Sequence, residues 1–284
     1  MTEAIPIREY LARKDTKIDL SYSNLSQIDA SGLHIFDGNF KRANLVGSNL
    51  SNCDLTNCDF EGADLTKADM SDSRLWNSNF KDAVLVEANF AGADFWNTNL
   101  SNVRIWRTNF DNAKSLSKKS FSGHINEEGL DSAEDSYRDL KRYFLSHGMY
   151  NDAGWASFKE KTIERLILKK NKDAHYIPSV VMALLCGYGE KPSRIVLSAL
   201  TAILLYAFVY FLLGAVEYAG SGSYILTWAD YIYYSAVTFT TVGYGDFLPK
   251  ASALFRLLSA SEAFLGVFLT GLFIFTLARR YSAR

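Results

Sequence analysis

The chain has 284 residues, 48% hydrophobic and 21% charged, with 30 Lys+Arg against 31 Asp+Glu. A net charge of −1 excludes a strongly basic nucleic-acid binder and a highly acidic tail protein. Three cysteines, an odd number, exclude a disulfide-stapled secreted fold, and four prolines with 18 glycines give no long disordered linker.

Charge divides the chain into three. Residues 15–113 hold 14 acids and 8 bases, residues 114–194 hold 11 and 14, and residues 195–284 hold 4 and 5 among long apolar runs. Domain borders are expected near 113 and 194. The opening MTEAIPIREYLARKD lacks the apolar stretch of a secretory signal. It reads as a short amphipathic segment with Ile7, Tyr10 and Leu11 on one side.

From Leu20 to Phe110 every fifth residue is apolar, through Leu25, Phe40, Leu65, Phe80 and Ile105. The residue before each is Asp or Asn at fifteen of the nineteen positions, the exceptions being His34, Arg74, Val84 and Arg104. Two before sits a mostly small residue such as Ala43, Ser48, Cys53 or Ala63. Neither a helix of period 3.6 nor a strand of period 2 produces this spacing.

The pattern, clearest in ANLVG at 43–47 and ADLTK at 63–67, resembles the pentapeptide-repeat family. The resemblance implies a right-handed quadrilateral β-helix with four pentapeptides per 20-residue coil, small residues and the central Leu or Phe inward. Nearly five coils at about 4.8 Å each would rise about 23 Å, with Phe40, Phe60 and Phe80 stacked inside. Cys53 and Cys58 are then core residues whose spacing is the repeat itself, not a metal pair. The open ends need caps: residues 5–14 at one end, the following helices at the other. Phe36, Trp76 and Trp96 share an outward column. Such an aromatic stripe marks a contact, either with a neighbouring segment of the same assembly or with a separate cytoplasmic partner. Some soluble pentapeptide proteins mimic DNA, but the membrane segments below fit that poorly.

Residues 132–147 place Tyr137, Leu140 and Phe144 on one helix face, with Asp131 or Ser132 as cap and Gly148 as stop. A second helix, about 152–171 and capped by Asn151, carries Trp155, Phe158, Ile163, Leu166 and Ile167. The hairpin resembles helical segments that accompany pentapeptide repeats in bacterial membrane proteins. Lys169, Lys170 and Lys172 follow as a basic patch. Residues 178–186 are apolar but too short to span, and read as interfacial between Tyr176 and Tyr188.

Ile195–Val216 carries no charge, and Leu254–Leu277 is interrupted only by Arg256 and Glu262. Both are long enough to cross a bilayer. Lys191 and Arg194 precede the first, and Arg279, Arg280 and Arg284 follow the second. The positive-inside rule then puts both termini and the repeat domain in the cytoplasm, and the expected location is the plasma (inner) membrane.

Between the spans lies TTVGYGD at 240–246, preceded by a capping box at Thr227 and Asp230 that starts a helix over 228–239. This resembles the pore loop of potassium channels. The resemblance implies a homotetramer in which carbonyls of Thr241, Val242, Gly243 and Tyr244, with the Thr241 hydroxyl, replace the water around K⁺. Gly243 and Gly245 allow the backbone angles this needs. Thr240 and Asp246 flank the filter. Tyr233 and Tyr234 stand where the family has an aromatic cuff, their hydroxyls toward Tyr244 and Asp246. Some bacterial channels carry Glu where Val237 stands. Glu262, ionisable within a span, is expected to bond a pore-helix hydroxyl such as Thr238, or to pair with Ser259 or a neighbouring chain. Gly266 lies near the family's gating hinge, with Gly271 a second candidate, and Val267, Thr270, Ile274 and Ala278 face one side as pore lining. A second GYG, at 187–189, lacks Thr-Val before it and reads as a turn.

The expectation is a multi-domain chain. An N-terminal cap (1–17) and a β-helix (18–113) precede an α-helical linker (114–191) and a two-span α-helical membrane pore domain (192–284). Its partners are a lipid bilayer and K⁺, with no nucleic acid and no cofactor. No Walker motif, GxGxxG, metal cluster or hydrolase triad marks an enzyme. The reading from another class is a membrane-anchored scaffold whose coil does the binding.

Overall fold

The computed structural model describes residues 18–121, 129–220 and 224–282, with side chains to residue 278. The expected cap at 1–17 and the side chains of Arg279, Arg280 and Arg284 lie outside the described residues. Two compact units divide between Asp173 and Ala174. That border falls inside the stretch 114–191 expected as a single linker. The helical hairpin belongs with the repeats because its apolar face is buried in their core.

In the first unit the chain returns on itself every 20 residues. Asn44 bridges Asp64, which bridges Val84, all in parallel. The amide of each inward residue donates to a carbonyl one coil further on, as in Leu45 to Asp64 at 2.7 Å and Leu65 to Val84 at 2.8 Å. Most corners close with a three-residue turn bond, such as Ala63 N–H to Phe60 O at 3.0 Å. The residue two beyond each inward position is left-handed, with φ from 55 to 72°. Asn, Asp and Gly tolerate that conformation best, and they occupy most of these corners.

The Asp/Asn position has its own role. The Asp59 carboxylate accepts the corner amide of Glu61 at 3.0 Å and the Asn79 side-chain amide, one coil up, also at 3.0 Å. Inside, Phe40, Phe60 and Phe80 stack as expected, with centroids 4.9 and 4.7 Å apart. Small polar residues donate to carbonyls in the preceding coil, Ser73 to Leu50 at 2.7 Å and Cys53 to Ala30 at 3.1 Å. Cys53 and Cys58 are buried thiols outside any disulfide. Burial pushes the Cys58 thiol up to about 12.

Helix α1 (Leu130–Ser146) starts earlier than the sequence predicts: Gly129, extended, holds the cap position, and Asp131 lies in the first turn, where it favours the positive helix end. Left-handed Gly148 (φ 68°) turns the chain after α1. Helix α2 (Tyr150–Lys170) begins from Met149, so Asn151 is inside it and not its cap. Tyr137, Leu140 and Phe144 join the coil core. The Tyr143 hydroxyl donates to Ala113 O at 2.8 Å, and Trp155 stacks on Phe121. The hairpin thereby covers the last coil, the end expected to need a cap. Buried Glu160 is satisfied by Arg138 at 3.2 Å and Lys141 at 3.0 Å.

The second unit runs α3 (Tyr176–Cys186), α4 (Pro192–Leu213), β1 (Val216–Tyr218), α5 (Trp228–Phe239), β2 (Phe247–Pro249) and α6 (Ala253–Ser282). α4 begins with proline in its first turn and stops at left-handed Gly214. The first span is therefore shifted from the expected Ile195–Val216, and Val216 is a strand residue. β1 and β2 pair antiparallel, Glu217 opposite Leu248, and clamp the ends of the intervening loop. Long, apolar α4 and α6 are sparsely buried by the rest of the chain. α3 packs through Cys186 against Ile195 of α4.

Candidate functional site

α5 spans the residues expected of it because Thr227 and Asp230 set its start. The Asp230 carboxylate accepts the Thr227 amide at 2.7 Å. Ala207 and Tyr210 of α4 pack with Tyr231 and Tyr234 of α5, and Leu269 of α6 packs with Phe239. After Thr240, which ends the helix, Thr241, Gly243 and Gly245 have φ of 59, 56 and 79°, while Val242 and Tyr244 between them do not take the left-handed form. This alternation runs through TVGYG and nowhere else in the described part of this unit. The other GYG has three left-handed residues in succession, Gly187, Tyr188 and Gly189, in the turn after α3. Residues 241–245 are all exposed, Tyr244 at 72%.

The two cuff tyrosines part company. The Tyr233 hydroxyl bonds Asp246, just beyond residues 241–245. Tyr234 turns the other way, its hydroxyl 2.8 Å from Ser259 Oγ on α6. Asp246 also anchors the clamp, since its carbonyl accepts the Ala219 amide at 2.9 Å.

Glu262 is fully buried against α4 and α5. Its partner on α5 is Ser235, not Thr238, and its second partner is Tyr210 of α4, whose hydroxyl lies 2.7 Å from Oε2. Ser259 lies beside this pair, bonded to Tyr234, rather than to Glu262 itself. Sequence reasoning missed Ser235 and Tyr210. Ser235 stands one turn before Thr238 on the same face of α5, and that spacing could have raised it.

Gly266 packs where α6 crosses the end of α5. A Cβ there would fall 1.8 Å from the Phe239 carbonyl oxygen. Gly271 has nothing within 4 Å. Val267, Thr270, Ile274 and Ala278 are all exposed on α6. On the coil, Phe36, Trp76 and Trp96 are exposed. Trp76 meets Trp96 edge to face at 5.9 Å and carries the Arg74 guanidinium over its ring at 4.8 Å. Among the described residues no group of His, Cys, Asp and Glu could hold a metal ion.

Residues 198–283 match the ion-channel family model, and residues 39–77 and 78–114 match pentapeptide repeats in 8 copies. The chain thus joins pentapeptide repeats to an ion-channel segment, and with its two apolar helices it is a membrane protein. Neither family is one of enzymes. No curated protein matches the chain. Among solved structures it is similar to Rfr23, a pentapeptide repeat protein of the cyanobacterium Cyanothece 51142, at 21% identity over 39% of this chain and 86% of that one, TM-score 0.36. It is also similar to HetL of Nostoc sp. strain PCC 7120, a pentapeptide repeat protein involved in heterocyst differentiation regulation. There the identity is 25% over 39% of this chain, and the match covers about half of HetL, 47%, with TM-score 0.37.

Proposed function

We propose that the protein is a homotetrameric, potassium-selective channel of the plasma membrane, with both termini and a right-handed quadrilateral coil on the cytoplasmic side. The observation that carries this reading is the alternating backbone of Thr241, Gly243 and Gly245, held between the end of a short capped helix and the β1–β2 clamp. Alternating hands turn successive carbonyls to one side, which is what four strands around an axis need to replace the hydration of K⁺. One chain supplies one strand, so four chains close each ring. The pore helix points its negative end at the cavity and favours a cation there. Tyr233 holds Asp246 and so supports the filter from behind. Val267, Thr270, Ile274 and Ala278 line the path below, and bending of α6 at Gly266 or Gly271 widens the inner mouth. The coil serves assembly or regulation, with the Phe36, Trp76 and Trp96 stripe as its contact surface.

The test is flux from liposomes holding the purified full chain. K⁺ should leave far faster than Na⁺, and Gly243→Asp should abolish it, because a charged side chain occupies the ring. Equal Na⁺ and K⁺ flux from the native chain would reject the selectivity.

A further inference from the structure

One side of the coil carries a row of charges beside a row of aromatic rings. Asp54, Arg74, Asp94 and Lys114 bridge one another in successive coils, so their signs alternate along the axis. Arg74 pairs with Asp54, and Lys114 is exposed. Two residues on from the first three stand Thr56, Trp76 and Trp96, with both indoles exposed. Trp76 is fixed in place. The Arg74 guanidinium lies over its ring at 4.8 Å, and its indole N–H donates to Asp94, which also accepts from Ser115 at 2.7 Å. At the next position Asn97 donates to Asn77 at 2.8 Å, and Asn77 to Asn57 at 3.2 Å. Covering side chains that are already held costs little further ordering.

The charge row indicates what covers this side. Four alternating charges, read backwards, are their own complement. A second copy laid face to face and antiparallel, about a two-fold axis between the coils of Arg74 and Asp94, sets Arg74 against Asp94 and Asp54 against Lys114, each twice. The same operation sets Trp76 against Trp96. Pairing in the same direction and register instead puts like charges at each level. We propose that this side of the coil docks on the same side of a second copy of the chain, antiparallel, with the two tryptophans at the centre. One side of such a coil offers less than the roughly 800 Å² per partner of a stable complex. The pairing therefore needs chains already concentrated, as a shared membrane does. It rests on the reading of the aromatic stripe as a contact surface, and not on potassium selectivity.

The test is a cross-linking ladder on the full chain in lipid. Asp37, Asn57, Asn77 and Asn97 are exposed, and all have φ between 55 and 61°, so a cysteine costs much the same at each. Across the proposed axis, a cysteine at 77 or 97 lies one coil from its own copy, at 57 three coils and at 37 five, or about 5, 14 and 24 Å along the axis. A short bis-maleimide should therefore join Asn77→Cys and Asn97→Cys chains equally, Asn57→Cys chains far less and Asp37→Cys chains not above the native background. Lys114→Glu, added to Asn77→Cys, should lower the joined fraction several-fold by facing Asp54 with a like charge. Equal yields at all four sites mean chains in parallel register and overturn the pairing. No product at any site, with K⁺ flux intact, overturns it and leaves the channel reading standing. A yield unchanged by Lys114→Glu overturns the charge row as what sets the register.

Discussion

The coil and the pore unit deal with apolar surface in opposite ways. From Leu25 to Ile105 every inward residue is at most 3% exposed, within one chain. In α4 and α6, Leu197, Leu205, Leu257 and Phe264 are 60 to 76% exposed. The coil finishes its own burial by stacking identical units, so each inward Leu, Met or Phe sits on the one 20 residues away. The second unit buries mainly the face where α5 lies between α4 and α6, with a smaller contact of α3 on α4, and the larger face is polar at its centre, around Glu262. Its remaining apolar surface suits lipid. One region is completed by sequence-local repetition, the other by surroundings.

The sharpest way to break that contrast is a charge in the coil. Leu65 is fully buried in a column between Leu45 and Leu85. Leu65→Asp places an unpartnered carboxylate there, at a cost of about 4 kcal/mol or more. Circular dichroism in detergent should lose the β signal at a lower temperature while the signal of the apolar helices persists. If both fall together, the two units do not stabilise themselves separately.

In the pore unit the equivalent test is steric. Gly266→Ala drives a Cβ into the Phe239 carbonyl, 1.8 Å away, and should cost about 3 kcal/mol. Gly271→Ala, with nothing within 4 Å, should stay within about 0.5 kcal/mol. Thermal unfolding of the two variants in detergent compares them, and equal losses would break the contact-based account.

These two glycines show what the sequence could and could not carry. The period of five was legible because each coil must exclude water at the same position, and only small or Leu/Phe-sized residues fit. The start of α5 was legible because Thr227 and Asp230 solve a local problem, unsatisfied amides at a helix end. The left-handed corners are less legible, because Gly47, Asn52, Asn57 and Gly62 mark them but Lys67, Glu87 and Arg107 hide the rule. In the sequence Gly266 stands out for its freedom of backbone. Its contact with Phe239 is long-range and leaves no periodic trace. The choice of Ser235 over Thr238 as partner of Glu262 is likewise a matter of helix rotation, which spacing alone leaves open.

A smaller effect separates the two kinds of interior by pH. The Cys58 thiol is held up at about 12 by burial, against 9.0 for a free thiol. The folded coil keeps it neutral, while the unfolded chain releases the proton above 9. Stability from this group is fully present below pH 9 and is lost as pH rises toward 12. Urea midpoints measured across that window should fall more steeply for the native chain than for Cys58→Ala. Parallel curves would show that the thiol is not shielded, and the coil interior would be wetter than its packing implies.

The smallest change concerns the corners, and it should strengthen the coil. Gln27, Gly47, Lys67, Glu87 and Arg107 form one corner column, each with positive φ. Glycine adopts that conformation freely, whereas a side chain there costs about 1 kcal/mol or somewhat more. Lys67 offsets little of this through its ion pair. Its ammonium lies 3.6 Å from Glu87 and is well exposed, and such surface pairs contribute at most about 1 kcal/mol. Lys67→Gly should therefore raise the coil's stability by up to about 1 kcal/mol, read as a higher melting temperature by circular dichroism. The reverse change, Gly47→Ala, should lower it. There a Cβ would also meet the Gln27 side-chain amide at 2.1 Å, a contact Gln27 can relieve by moving, so the loss should stay close to the backbone cost. Opposite signs at two corners of one column would isolate backbone hand as the term the repeat pattern conceals. If Lys67→Gly destabilises the coil instead, the Lys67–Glu87–Arg107 charge column outweighs the strain, and the corners are held by side chains rather than by backbone preference.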